Sequence, residues 1–224
     1  MKIYHGSKDI IEHPEYRKGK SNNDYGLGFY CTEDIEMAKE WSCGENHDGF
    51  ANIYEIDLSK LRVLNLNSPE YCILHWLTVL LKNRQFRITN PIAKDARAYL
   101  FENFMVETDS YDVIIGYRAD DSYFSFAEDF LNNAISVKKL SKAMKLGNLG
   151  EQVVLVSKNA FDSINFVGTE ETKRSKYYVL RMKRDKAART EYLNSDRGRS
   201  YSQDELYMLD IMRQGVKSDD PRLR

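Results

Sequence analysis

The sequence predicts an α+β fold. Short β-rich runs are separated by helical segments of uneven length, strands and helices do not alternate regularly, and no internal repeat or low-complexity tract interrupts them. At 224 residues, with 42% hydrophobic residues, the chain suits one core-forming domain carrying an appendage.

The elements follow in order. Lys2–Ser7 reads as an opening strand, and the polar stretch from Lys8 to Asn23, with Pro14 and Gly19, as a loop. Gly26–Thr32 leads into a second strand. Thr32 is the predicted N-cap of a helix through Met37, Ala38 and Trp41, whose first turn carries Glu33, Asp34 and Glu36. Ala51–Leu58 and Leu61–Leu66 are β-rich. Ser68-Pro69-Glu70 opens an amphipathic helix with Ile73, Leu74, Leu77, Leu80 and Leu81 on one face, and Pro91 opens another that runs to Val106. Asp112–Gly116 is a compact strand, followed by helices over Phe126–Ala134 and Val137–Met144. Glu151–Val156 and Ile164–Val167 are strands. From Thr169 the composition shifts: Lys173, Arg174, Lys176, Arg181, Lys183, Arg184, Lys186 and Arg189 crowd one segment, and Gln203–Gln214 reads as helical. These features divide the chain at residue 168 into a core (1–168) and a helical, partly basic extension (169–224).

Composition narrows the function classes. A net charge of -1 argues against a general nucleic-acid coat or a binder of anionic membranes. Cys31, Cys43 and Cys72 form no metal-binding or disulfide pattern, so a reduced, cytoplasmic protein without a metal is expected. No apolar run approaches the ~18 residues of a membrane span, and the start lacks the apolar stretch of a signal peptide.

The chemistry-bearing motifs lie early: Tyr4-His5-Gly6-Ser7, then Gly26-Leu27-Gly28-Phe29-Tyr30, then Trp41 eleven positions after Tyr30. An imidazole, a backbone left open by glycine, a tyrosine and an aromatic at the end of a helix together suit a flat cationic ring and its ribose. This order of motifs resembles the NAD pocket of ADP-ribosyltransferases of the His-Tyr-Glu type. That resemblance implies a split mixed or antiparallel sheet with NAD as co-substrate, and mono-ADP-ribosyl transfer to a protein or nucleic-acid acceptor. It implies that His5 donates to a ribose hydroxyl, that Gly6, assisted by Ser7, holds the carboxamide, that Gly28 of the Gly-rich turn also binds NAD, and that Tyr30 and Trp41 enclose the ring. Ala38 stands where the family often has a small hydroxyl residue.

The family's third element is a carboxylate at the start of a late strand, here within Gly150-Glu151-Gln152-Val153. Strand alternation lets one of Glu151 and Gln152 face the cleft. Alignment favours Gln152 and charge favours Glu151. The stretch Asp112–Phe124, with Lys142-Ala143-Met144 and Gly150-Glu151-Gln152, is also similar to an uncharacterised bacterial family related to these transferases. Members of that family often stand beside small partner proteins in toxin–antitoxin-like pairs, which implies a toxin or phage-defence role and an antitoxin-like partner.

Other readings stand beside these. Arg118, Asp120, Asp121 and Tyr123 form either an acceptor- or phosphate-binding segment or a salt-bridged loop leading into a helix. A degenerate fold that binds NAD or ADP-ribose without transfer is one alternative to the enzyme. An interaction protein that docks an acidic partner through Lys173–Arg189 is another. His75 is expected to be packed or hydrogen-bonded, and no Cys-His arrangement is assigned.

Overall fold

The computed structural model describes residues 1–88, 90–119, 121–146, 150–196 and 205–223. Within them, α and β elements mix as expected. Strands β1 (Lys2–Ser7), β3 (Gly49–Ile56) and β7 (Ile164–Thr172) form one antiparallel sheet in the order β1-β3-β7. Strands β2 (Phe29–Cys31), β6 (Glu151–Leu155), β5 (Val113–Tyr117) and β4 (Val63–Asn65) form a second, ordered β2-β6-β5-β4. Its last pair is parallel, which requires a long crossover. Helices α2 (Ile73–Asn83) and α3 (Pro91–Phe104) supply it.

The two sheets touch edge to edge at one bridge. The Tyr4 N–H donates to the Thr32 carbonyl at 2.8 Å, and the Thr32 N–H returns the bond to Tyr4 at 2.9 Å. Beyond the bridge β1 and β2 part. Period-two alternation then sorts the core. Val113, Ile115, Val153 and Leu155 join Ile3, Cys31, Tyr54 and Ile56 in one apolar cluster shared by the two sheets. The intervening Ile114 and Val154 face a larger cluster built on the helices.

Helix α2 departs from the expected one-sided pattern: every residue from Ile73 to Leu81 is buried, including His75 and Thr78. A helix covered on all sides needs no polar face, and its two polar side chains are satisfied locally, Thr78 by the Leu74 carbonyl at 2.6 Å. It begins after Cys72; Ser68-Pro69-Glu70 forms a preceding turn. The cap of α1 (Ile35–Ser42) also differs. Asp34 Oδ1 accepts from the Glu36 and Met37 N–H groups, because Thr32 is held extended by its bridge to Tyr4. The remaining helices are α4 (Asp121–Leu131), α5 (Val137–Ala143), α6 (Lys158–Asp162), α7 (Arg174–Asp196) and α8 (Met208–Gln214). No described helix is long and apolar enough to cross a membrane.

Strand β7 passes residue 168 and stays paired to β3 as far as Thr172, so the sheet runs on beyond the compositional shift. Helix α7 then lies across α1. Arg184 makes a two-pronged ion pair with Glu40, at 3.0 and 2.7 Å, and Tyr192 packs on Phe126 while donating to Asp129 at 2.7 Å. Several of the basic side chains are therefore committed internally: Lys173 to Asp48 and Glu171, Arg174 to the Glu45 backbone carbonyl, Arg189 to Asp185. Met208, Ile211, Val216 and Leu223 sink into the helical core, so the tail is part of that core. Gln203 lies outside the described residues.

Helix α1 sits unusually close to β1. A Cβ on Gly6 would lie 2.0 Å from the Ala38 carbonyl oxygen and 2.8 Å from the Ser42 nitrogen, both backbone atoms. Gly6 therefore permits the helix to lie on the strand, and Ala38, fully buried, is the small residue opposite it. We predict that Gly6→Ala lowers unfolding stability by about 1–3 kcal/mol through overpacking, read as a reduced urea midpoint at unchanged slope. An unaltered midpoint would mean that α1 is free to shift.

Candidate functional site

The parting of β1 and β2 opens a cavity of about 1150 Å³. It is lined by His5 and Gly6 of β1, Phe29 and Tyr30 of β2, Trp41 from the last turn of α1, Arg118 and Ala119 after β5, and Gln152 of β6. Gly28, Asp24 and Arg84 line it too, as do residues of the segment from Asp9 to Lys20.

Backbone geometry explains the opening. Two residues beyond the Tyr4–Thr32 bridge, an unbroken antiparallel ladder would pair Gly6 with Tyr30. Instead the Tyr30 carbonyl is bonded by His5 Nδ1 at 2.7 Å. In an extended strand the N–H and C=O of a residue point the same way, and those of Tyr4 point to Thr32, away from β3. Strand periodicity turns the N–H and C=O of Gly6 to that same outer edge, where no backbone bond joins Gly6 to Tyr30. One donor and one acceptor thus stand side by side at the split.

A carbonyl can only accept, so His5 Nδ1 carries the proton. Burial pushes the imidazole below its ordinary pKa, and the Tyr30 carbonyl offsets this in part. The ring is therefore neutral near pH 7 and its Nε2 is an acceptor. This reverses the expected donor role. Phe29 stacks on the ring at 4.3 Å and fixes its plane.

Tyr30 does more than form a wall. Its hydroxyl donates to the Gly26 carbonyl at 2.7 Å and accepts from the Tyr25 N–H at 3.0 Å, which ties down the turn containing Asp24. Gly26 takes a positive φ of 76° in that turn, a conformation that favours glycine. Gly28 lies against β6, where a Cβ would sit 2.6 Å from Val154 Cγ1, so it serves strand packing.

Three expectations change. Ser7 does not line the cavity: its hydroxyl is held by Asn52 Nδ2 at 3.0 Å and by the Asp9 carbonyl. The buried Asn52 also binds the carbonyls of His5 and Asp9 and the Ile11 N–H, folding the chain back after β1. Glu151 is exposed and accepts from Asn67 at 2.7 Å, whereas Gln152 is buried and lines the cavity. The pleat of β6 decides between them. Trp41 lies at the cavity with one face of its ring covered, since the Arg118 guanidinium sits 3.2 Å from its ring centroid. Arg118 thus reaches the cavity while Asp120 lies outside the described residues; Asp121 and Tyr123 are in the first turn of α4, and nothing is assigned to their side chains.

Sequence reading missed Asp24. It is 5% exposed, and its Oδ2 accepts from the Ala119 N–H at 2.9 Å and from Gln152 Nε2 at 3.2 Å. Arg84 Nε lies 3.6 Å from Oδ1. Burial pushes its carboxyl above the ordinary range, opposed by the Ala119 bond and by the charges of Arg84 and Arg118. No local motif marks an aspartate that three distant segments converge on. Sequence reading also missed Arg181 of α7, which reaches the cavity mouth. A Cys-His contact does occur, Cys72 Sγ lying 3.3 Å from His75 Nδ1, but it is buried away from the cavity and caps α2.

The family model for DUF3990, described as a protein of unknown function, matches residues 1–166, and the chain belongs to that family. No curated protein and no solved structure matches it.

The lowered pKa of His5 has a stability consequence. A group held neutral in the fold but free to take a proton when unfolded favours the native state fully above its unfolded value of 6.5. That contribution is lost as pH falls from there through the lowered folded value. His5→Asn, which keeps a donor for the Tyr30 carbonyl but cannot titrate, should flatten the fall in melting temperature below pH 6.5. Parallel melting curves for the two proteins on acidification would contradict this assignment.

Proposed function

We propose that the protein binds NAD in the cavity between β1 and β2 and transfers its ADP-ribose to a macromolecular acceptor. The observation that carries this reading is the outward-facing N–H and C=O of Gly6 beside the neutral His5. A primary carboxamide presents one donor and one acceptor on one edge, so it complements the Gly6 pair, and the His5 Nε2 acceptor suits a sugar hydroxyl next to it. The Trp41-supported Arg118, with Arg84 and Arg181, gives the same cavity cationic groups for phosphate oxygens.

In such a transfer the bond between nicotinamide and ribose breaks with its electron pair passing to the ring nitrogen. The ribose gains oxocarbenium character, and an acceptor atom then bonds to the anomeric carbon and releases a proton. The protein's part is to hold the carboxamide at Gly6, to fix the sugar through His5, and to keep acceptor oxygens near the developing positive charge. The resemblance of the His5-Gly6, Tyr30 and Trp41 motifs to ADP-ribosyltransferases supports this assignment. A second reading, binding without transfer, draws on the uncharged Gln152 in place of a carboxylate.

The test is NAD titration by calorimetry together with nicotinamide release, with and without bacterial lysate. The expected result is binding and release, with release falling by about a hundredfold or more in His5→Ala. Binding without release in any lysate would favour the second reading. Neither binding nor release would sink both.

A further inference from the structure

We propose that Asp24 and Gln152 act as one unit, in which a buried carboxylate aims and polarises the amide so that Gln152 Oε1 serves as the cavity's acceptor, with Asp24 as its positioning residue. The catalytic part of this inference rests on the NAD reading above.

When ionised opposite Arg84, 3.6 Å away, Asp24 can only accept, so the Gln152 atom facing it at 3.2 Å is the Nε2 donor. The amide therefore has one orientation: a flipped amide would set oxygen against carboxylate. Its other end, Oε1, is buried and has no hydrogen-bond partner among the described residues. Native interiors rarely leave such an oxygen unsatisfied unless something is meant to meet it. Gln152 is 3% exposed and lines the cavity, and the pairing of its Nε2 with Asp24 leaves the buried Oε1 as the amide atom without a partner there. A hydrogen bond given to a carboxylate at one end of an amide draws electron density to the carbonyl at the other, which strengthens Oε1 as an acceptor. The ligand group it fits is a hydroxyl donor, as on a sugar.

Asp24 is itself firmly placed. Ala119 N–H fixes Oδ2, Asn83 Nδ2 holds the Asp24 carbonyl at 3.3 Å, and the Tyr30 hydroxyl secures the turn on its other side. The arrangement also accounts for a glutamine at the start of β6. A glutamate there would bring two carboxylates together in a buried site, where one must keep its proton. The negative charge of the site is supplied by Asp24, and Gln152 relays it into the cavity.

The experiment has two arms. In the first, without NAD, the Gln152 side-chain amide resonances are followed by 15N NMR, identified by their loss in Gln152→Glu. Asp24→Asn is expected to shift them, since the new amide no longer presents two acceptor oxygens. The carboxyl introduced by Gln152→Glu is expected to titrate well above an ordinary glutamate in 13C spectra, even if Asp24→Asn folds poorly. Asp24 faces it directly, and the titratable and charged groups around Asp24 are Arg84, Arg118, Tyr25 and Tyr30. Unmoved resonances together with an ordinary glutamate titration would overturn the pair, whatever NAD does. In the second arm, Asp24→Asn should lower the turnover of nicotinamide release by about tenfold or more while the KM for NAD changes little. Gln152→Glu should not exceed the native rate. Native turnover in a folded Asp24→Asn would overturn the positioning role. A wild type that neither binds NAD nor releases nicotinamide would overturn the catalytic half together with the reading beneath it, leaving the NMR arm to judge the pair.

Discussion

The fold turns on the two hydrogen bonds between Tyr4 and Thr32. They hold two sheets edge to edge at one point and let them separate immediately afterwards. Had the ladder continued, Gly6 and Tyr30 would have satisfied each other and the cavity would not exist. The His5 side chain ends the ladder by taking the Tyr30 carbonyl for itself. A structural bond thus fixes the imidazole tautomer and leaves a backbone donor and acceptor exposed at the split.

Around this opening, polar groups are arranged so that few side chains serve one purpose. Tyr30 lines the cavity and locks the turn that carries Asp24. Tyr25, in the same turn, donates to the Tyr117 carbonyl at 2.6 Å, and Trp76 of the buried helix α2 donates to that carbonyl at 3.0 Å. The end of β5, the end of α2 and the turn before β2 are thereby held together. Buried polar networks of this kind are stable when every member is satisfied. Gln152 Oε1, like Asn67 Oδ1, is a buried amide oxygen left without a partner among the described residues, and Gln152 lines the cavity.

Helix α7 is built into the same design. Its Arg184 neutralises Glu40, a carboxylate whose side chain is 5% exposed, and so clamps α1, which carries Trp41. Its Arg181 lines the cavity. Half-buried ion pairs add modest net stability, but losing one partner strands the other charge. The clamp therefore contributes more to the placement of α1 than to the overall energy. Of the basic residues that suggested a docking face in sequence, Lys173, Arg184 and Arg189 pair with Asp48, Glu40 and Asp185, and Arg174 donates to the Glu45 carbonyl.

By itself the sequence determined the mixture of strands and helices, the opening strand ending in His5-Gly6, the helix ending near Trp41, and the strand carrying Glu151 and Gln152, because each depends on local periodicity and capping. Tertiary structure decided the rest. Which of Glu151 and Gln152 faces inward depends on the register of β6 between β2 and β5. The cap of α1 moved from Thr32 to Asp34 because a partner strand holds Thr32 extended. Gly6 is required by a helix more than thirty residues away in sequence, and Arg118 meets Trp41 across the domain. Asp24 carries no local signal, since burial and partners from β5, β6 and α2 give it its character, and those meet it only when the chain is folded.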